Sequence, residues 1–167
     1  LTMTTLQFID NSQAVDIVDN GTCIMRAYDQ GDNTALCRAP NGDQPEQLVG
    51  QVAYHGKDDI QISIPGSNLT VRKGSFLSRD YHVEGPGYAW KWERGLRDSF
   101  SLVDSATGNT IATYNKNFGS STSVLNVVQK LDDQHMDAAI LTALAMTERR
   151  DVQKRKVRKT AAVSAAI

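Results

Sequence analysis

The most constraining feature of this 167-residue chain is an apolar stretch near its end, Asp133–Arg150. The centre of the stretch, Ala138–Met146, carries one polar residue, Thr142. Because the stretch lacks Gly and Pro and is rich in alanine and leucine, we predict that it forms a helix. Most amphipathic helices have a single apolar stripe, but this one is apolar nearly all round. That pattern is typical of a helix that protein or lipid surrounds on every side.

Protein is the expected surround, because a spanning helix needs about 20 apolar residues and this run has about half as many. We therefore predict a buried core helix over about residues 133–150, around which the rest of the chain folds. Asp132 or Asp133 is the expected N-cap. Arg149 and Arg150 suit the last turn, where cations interact favourably with the helix dipole.

The residues before this helix read as a succession of short strands. Between Leu6 and Val128, turn signals recur at about the 8–12-residue spacing of all-β domains. Asn20-Gly21 is one such turn, because both central residues of a type I′ turn need a positive φ. The segment Asp59–Ile64 alternates strictly, with isoleucine at every second position, as expected for a strand with one buried face.

About ten to twelve strands followed by an apolar helix predict a mainly β fold. We expect a closed, about twelve-stranded antiparallel β-barrel around a C-terminal hydrophobic α-helix, since a helix can fill a lumen too wide for side chains alone. The alternative is an open sandwich with the helix on one face, which would require a polar helix face. The barrel predicts that Leu141 and Leu144, which we take to lie on opposite sides of the helix, are both buried.

Charge is distributed unevenly, although the net charge is only −1. We predict one domain over residues 1–150 and a tail over 151–167, basic and then alanine-rich, that extends the helix or is disordered. From Glu148 to Lys159 seven basic residues face two carboxylates, a local charge of +5 that leaves −6 for the remainder. Such a run suits an anionic membrane surface, a nuclear-import or nucleic-acid contact, or a solvated helix end. The basic residues of this run are Arg149, Arg150, Lys154, Arg155, Lys156, Arg158 and Lys159.

The sequence favours a cytoplasmic protein. Leu1–Asn11 lacks the basic region and long apolar core of a secretory signal. Cys23 and Cys37 are too few for a disulfide framework, and we expect both to be reduced, buried thiols. Because the apolar helix is too short to cross a bilayer, we expect any membrane association to be peripheral, without a transmembrane span.

No set of residues predicts catalysis. His55, His82 and His135 lie in three separate segments without metal-ligand spacing, so we expect each to be structural or on the surface. Asp58 and Asp59 lie in a polar turn, where carboxylates are usually solvated. The sequence has no nucleophile-elbow motif and no phosphate-binding glycine loop. We therefore predict no catalytic, cofactor-binding or metal-binding residue and no enzymatic activity; an enzyme or small-ligand carrier would require a polar cavity.

One predicted strand is aromatic on a single face. Tyr88, Trp90 and Trp92 occupy alternate positions, and Lys91 points to the opposite face. We expect the three rings to pack against the helix, because aromatic side chains bury large areas and suit a barrel interior. The alternative is an exposed aromatic wall for a ligand or a membrane interface.

Three segments together carry a family resemblance: the aromatic strand Gly87–Glu93, the predicted hairpin Ser99–Tyr114 and the apolar helix ending in Arg149-Arg150. With them the chain resembles the tubby C-terminal-like superfamily, which includes the LURP-one-related proteins and the phospholipid scramblases. It looks closest to small, uncharacterised fungal proteins of that superfamily, over about Ser12 to Arg150. The resemblance implies a twelve-stranded barrel around a hydrophobic helix. It also implies binding of phosphoinositide headgroups by basic residues of the barrel wall, although the family's ligand residues have no one-for-one match here.

Basic residues in the middle of the chain are the candidates for an anion site. If Arg72, Lys73 and Lys91 converge across neighbouring strands, they form a cationic patch of headgroup size, and arginine can hold phosphate through two hydrogen bonds. The alternative is a scatter of solvated charges. The full candidate set is Arg72, Lys73, Lys91, Arg94 and Arg97.

These observations predict a non-enzymatic intracellular binding module that engages anionic phospholipid or phosphoinositide through a basic patch and the tail. The alternative is a protein-interaction or scaffold domain without lipid binding. Nucleic acid is not an expected partner, because the net charge of −1 gives the whole chain no bulk attraction to it.

Overall fold

The computed structural model describes residues 3–11, 13–39, 45–55, 59–74, 80–96, 99–116 and 121–146. Twelve strands form in this part of the chain, each antiparallel to the next, and β1 pairs with β12 to close the barrel. The predicted closed twelve-stranded barrel is confirmed. The strands are β1 Thr4–Asn11, β2 Ala14–Asp19, β3 Thr22–Asp29, β4 Asn33–Arg38, β5 Gln47–Tyr54, β6 Asp59–Ile64, β7 Ser67–Lys73, β8 Tyr81–Gly85, β9 Tyr88–Arg94, β10 Ser99–Asp104, β11 Thr110–Lys116 and β12 Thr122–Val127.

Strands form where apolar and polar residues alternate in the sequence, and turns form where this alternation stops. In β6 the three isoleucines are buried, and the residues between them are less so. Asn20 and Gly21 both have positive φ, 49° and 79°, which is the backbone of a type I′ hairpin turn between β2 and β3. Strands that are consecutive in the sequence are also neighbours in the barrel, which is therefore an up-and-down barrel.

One helix follows the strands in the described part of the chain, α1, over residues 133–146. Asp132 is its N-cap: the Asp132 Oδ1 atom accepts a hydrogen bond from the His135 backbone N–H at 2.8 Å. The Asp132 carbonyl accepts the first helical bond, from Met136, at 2.9 Å. Of the two predicted caps, the structure therefore uses Asp132.

Helix α1 occupies the lumen of the barrel. All nine residues from Ala138 to Met146 are buried, and none is more than 6% exposed. Leu141 and Leu144 are both buried, at 0% and 2% exposure, as the barrel predicts. The two leucines are three positions apart, however, and therefore lie only about 60° apart around the helix rather than on opposite sides. The run of nine buried residues, which spans more than two turns, is what shows that barrel wall surrounds the helix.

A buried hydrogen bond fixes α1 against β9. The Trp92 Nε1–H donates to Thr142 Oγ1 at 2.9 Å, and Thr142 Oγ1 donates in turn to the Ala139 carbonyl at 3.1 Å. Near the start of α1, the Tyr88 hydroxyl donates to the Gln134 carbonyl at 3.4 Å. The helix therefore runs in the same direction as β9. We call the end of the barrel where α1 begins the upper end, and the opposite end, where Met146 and the end of β9 lie, the lower end.

A glycine in β5 lets the helix approach the wall. A Cβ atom on Gly50 would lie 2.7 Å from Leu141 Cδ1 and 2.7 Å from the Ser63 carbonyl oxygen of β6. Since the second of these atoms belongs to the backbone, a rotamer change cannot relieve the clash. Gly50 is thus required for close packing of strand, strand and helix.

Several sequence-based predictions lie outside the described residues. They are the tail 151–167, the end of the helix with Arg149 and Arg150, and the candidate Arg97. Within the described part, Cys23 and Cys37 are free thiols, each half-buried rather than fully buried. The described part also contains no helix with both the length and the apolar character that a membrane crossing requires.

The Trp92–Thr142 bond generates a stability prediction. Thr142→Val keeps the shape of the side chain but leaves the buried Trp92 N–H without its acceptor, so it should lower the free energy of unfolding by about 1–3 kcal/mol. Thr142→Ser, which keeps the hydroxyl, should lose less. Denaturant unfolding followed by tryptophan fluorescence measures both variants; a Thr142→Val protein as stable as wild type would contradict the assignment.

The Gly50 contact generates a second prediction. Gly50→Ala should destabilise the barrel by about 1–3 kcal/mol, because the added methyl group must displace either α1 or β6. The control is Gln51→Ala on the neighbouring position, whose side chain points away from the helix and whose removal should change stability by about 0.5 kcal/mol or less. Thermal unfolding by circular dichroism compares the two. Equal melting temperatures for the two variants would show that the wall accommodates the methyl group.

Candidate functional site

The interior of the barrel is occupied by its own side chains. The inward-facing residues of the strands and the residues of α1 form one continuous buried cluster, which includes Trp92, Leu102, Ile140 and Leu141. The wall and the two ends are therefore the surfaces of the described domain on which a binding site can be built.

Strand register brings two of the predicted anion-site residues together on the outer wall. Arg72 of β7 pairs with His82 of β8, and His82 pairs with Lys91 of β9. Directly opposed residues have Cβ atoms about 5 Å apart, so Arg72 and Lys91 are separated by about 10 Å with His82 between them. Arg72 is exposed, while His82 and Lys91 are half-buried. We call these three residues the wall row.

Lys73 does not join the wall row. It lies one residue further along β7, where it pairs with Tyr81, and Tyr81 pairs with the inward-facing Trp92. Because side chains alternate between faces, Lys73 belongs to the inner face and reaches solvent at the lower rim of the barrel. Arg94 is placed in the same way at the end of β9. The predicted patch is therefore divided between the wall and the lower end.

Carboxylates surround the wall row. Lys91 Nζ lies 2.9 Å from Glu93 Oε1, and this hydrogen bond raises the pKa of Lys91 above its ordinary value. Asp59 of β6 is directly opposite Arg72, and Glu84 follows His82 by two residues on the same face. An incoming phosphate would find Arg72 exposed, but it would compete with Glu93 for Lys91. The wall row is a mixed-charge surface with an arginine at one end.

The aromatic strand faces the helix. Tyr88, Trp90 and Trp92 are all buried, and the residues between them are not. Tyr88 and Trp90 pack edge to face, with ring centroids 5.0 Å apart, and Trp92 bonds to Thr142. The packing interpretation is confirmed, and the exposed aromatic wall is not what the structure contains.

His135 fastens the start of α1 to the upper end of the barrel. Its Nδ1 atom lies 2.7 Å from Asp132 Oδ1, and its Nε2 atom lies 3.4 Å from the Gly87 carbonyl oxygen. Its ring packs on Tyr88 with centroids 4.6 Å apart. The backbone hydrogen bond from His135 lowers the pKa of Asp132. His135 is thus structural, as expected, because both ring nitrogens and the ring face have partners.

A titratable group that sequence reasoning missed lies two residues further along α1. The side chain of Asp137 is only 14% exposed, and its burial raises the pKa of the carboxyl to about 6. Arg38 at the end of β4 acts in the opposite direction: its Nη2 atom lies 3.4 Å from Asp137 Oδ2. In the sequence, the sign of this buried carboxyl is that Asp137 immediately precedes the apolar run Ala138–Met146.

The three histidines remain far apart. His55 lies at the lower end, His82 on the wall and His135 at the upper end. In the part of the chain that the structure describes, no group of three or more His, Cys, Asp or Glu side chains could hold a metal ion.

Comparison of the chain with protein-family models, with curated proteins and with solved structures gives no match. The tubby-like resemblance and the function it implies stay predictions.

The raised pKa of Asp137 predicts how the stability of the domain depends on pH. Its folded pKa of about 6 lies above the unfolded value of about 3.9, so stability should fall as the pH rises from 4 to 6 and the folded carboxyl must ionise. Asp137→Asn should therefore be more stable than wild type at pH 7.5, by about 1–2 kcal/mol after allowing for the solvent-screened Arg38. Near pH 4 the difference should vanish.

Unfolding by denaturant at a series of pH values measures this effect. The control is Asp32→Asn, which removes an exposed carboxylate from the turn between β3 and β4 and should change the free energy of unfolding by about 0.5 kcal/mol or less. If the difference between Asp137→Asn and wild type were the same at pH 4 and pH 7.5, Asp137 would not be the group responsible.

Proposed function

We propose that the chain is a non-enzymatic binding domain of the tubby-like kind that engages anionic phospholipid headgroups with its outer surface. One observation carries this proposal: α1 fills the lumen, with residues 138–146 at most 6% exposed. Small-molecule sites are typically concave and partly enclosed, and here the natural enclosure of a barrel is taken by the helix. Recognition therefore falls to the wall and the ends.

The wall row supports an anionic ligand. Arg72 is exposed, and His82 and Lys91 extend the row across two further strands, over roughly 10 Å. Arginine suits phosphate because its planar group donates two parallel hydrogen bonds. The twelve-stranded barrel around a helix is also the fold that the tubby-like resemblance implies, and lipid binding through the wall is the function that it implies.

The basic tail supports attachment to a membrane surface. Polybasic segments gain about 1 kcal/mol per Lys or Arg at an anionic leaflet, and the run from Arg149 to Lys159 has seven. Two free thiols suit a reducing compartment. We accordingly propose a cytoplasmic protein that associates peripherally with the membrane.

Vesicle flotation tests this function. Intact protein should float with phosphatidylcholine vesicles that contain phosphatidylserine or a phosphoinositide, and flotation should weaken as salt is raised. The variant Arg72→Gln/Lys91→Gln should bind about thirtyfold more weakly, since each of the two cations near an anionic surface contributes about 1 kcal/mol.

The control variant Arg26→Gln/Lys130→Gln removes the same charge from β3 and from the upper end. It should retain most of the binding, and thermal unfolding confirms that both variants are folded. If intact protein floated with no anionic vesicle at low or moderate salt, the proposed function would be wrong.

A protein-interaction domain is the second candidate, and one observation favours it. Met3 and Val128 are both exposed, and they flank the pair Thr4–Val127 at the upper end, so they form a small apolar surface there. Size-exclusion chromatography with light scattering tests self-association. A dimer that Met3→Ser/Val128→Ser converts to a monomer would support this candidate.

A further inference from the structure

The lower end of the barrel is cationic on one side. Three strands that run towards this end finish on a basic residue: β7 on Lys73, β9 on Arg94 and β11 on Lys116. The three strands alternate with β8 and β10, so the ends of neighbouring members are about 10 Å apart. Carboxylates also lie on this side: Asp80 at the foot of β8, Asp59 at the start of β6 and Glu93 next to Arg94. On the β1–β4 side the same end carries Asp10, Asp29 and Asp32, so the cationic surface is confined to the β7–β11 side.

An exposed leucine projects from the middle of this cationic side. Leu96 follows β9, the central strand of the three, and is 88% exposed, the most of any large apolar residue in the described part of the chain. Single exposed leucines are common on protein surfaces. Leu96 differs because Arg94 precedes it by two residues and the strands ending in Lys73 and Lys116 lie on either side.

Gly95 and Leu96 are held to Ser99 by hydrogen bonds. The Gly95 N–H donates to the Ser99 carbonyl at 2.7 Å. The Leu96 carbonyl accepts a bond from Ser99 Oγ at 2.6 Å and another from the Ser99 N–H at 3.3 Å. A side chain presented by a bonded turn loses little freedom on binding, which favours its use as an anchor.

The described part of the chain ends at this same lower end, and the most basic stretch of the sequence comes after it. Because α1 runs alongside β9, as the Tyr88–Gln134 and Trp92–Thr142 bonds show, Met146 lies at the lower end. The chain continues from Met146 for 21 residues, and the seven basic residues from Arg149 to Lys159 follow within that length. The upper end differs, since Asp132, Asp133 and Asp137 lie there.

We propose that the lower end is the membrane-docking face, with Leu96 inserted among the lipid chains and with Lys73, Arg94 and Lys116 at the level of anionic headgroups. This inference rests on the proposed function and adds an orientation and an anchor to it. The occupant is an anionic bilayer rather than a soluble anion, because an apolar tip with basic residues on three nearby strands matches a surface that is charged outside and apolar beneath.

A tryptophan introduced at position 96 tests how the domain is oriented on the membrane. Leu96→Trp should show blue-shifted emission on binding to anionic vesicles and should be quenched by lipids brominated on their acyl chains. The matched control is Leu48→Trp, at an exposed leucine near the upper end of β5. It should bind equally and remain unquenched. Trp90 and Trp92 are buried in the barrel and supply a constant background.

A polar substitution measures the contribution of the anchor. Leu96→Asp should weaken vesicle binding by about tenfold or more, because it replaces an inserted apolar side chain with a charge that the anionic surface repels. Leu48→Asp should stay within about twofold of wild type, since it adds the same charge away from the membrane. Both leucines are exposed, so neither substitution should change the melting temperature.

The outcomes separate the two proposals. Quenching at position 96 but not at 48, together with loss of binding in Leu96→Asp, supports the lower-end orientation. Normal flotation without quenching at 96, or with equal quenching at 48, overturns the orientation and leaves the proposed lipid-binding function standing. Absence of flotation with every anionic vesicle overturns both.

Discussion

The structure depends on the fit between one helix and the wall that surrounds it. A twelve-stranded barrel has a lumen wider than its own side chains can fill, and an α-helix with side chains is about 10–12 Å across. Here the fit uses small residues on both partners, with alanines at 138, 139, 143 and 145 on the helix and Gly50 on the wall. Within this apolar contact the Trp92–Thr142 hydrogen bond gives the helix a fixed rotation, which apolar packing alone specifies less sharply.

This arrangement separates the residues that hold the fold together from the surfaces on which we propose binding. The aromatic strand, His135 and the N-cap Asp132 all serve to hold α1. The surfaces that remain are the mixed-charge wall row and the cationic side of the lower end. In the proposed function the wall row would bind one headgroup, whereas in the proposed docking the lower end would make a broad contact with an apolar tip. If the domain docks by its lower end, the wall row on β7–β9 also lies close to the bilayer.

Local patterns in the sequence were sufficient for the elements of the fold. The nine-residue apolar run identified the buried helix, and alternation at Tyr88, Trp90 and Trp92 identified the inner face of β9. The candidate site could not be predicted in the same way, because it depends on which residues of distant strands stand opposite each other. Lys73 and Arg72 are adjacent in sequence but belong to opposite faces, and Arg72 meets Lys91 only through His82. The high pKa of Asp137 likewise requires the burial that the closed wall provides.

The closure of the barrel has a consequence for how the chain reaches this state. Strand β1 pairs with β12, so that Thr4 is opposite Val127, and the helix that fills the lumen follows both in the chain. While a ribosome is still making β12, β1 has one permanent neighbour and the interior of a nearly complete sheet has no filling. Contacts of such long sequence separation make folding slow, and open edges with an apolar face favour aggregation. The product is edge-free and tightly packed, but until α1 is in place the sheet has an unfilled apolar interior.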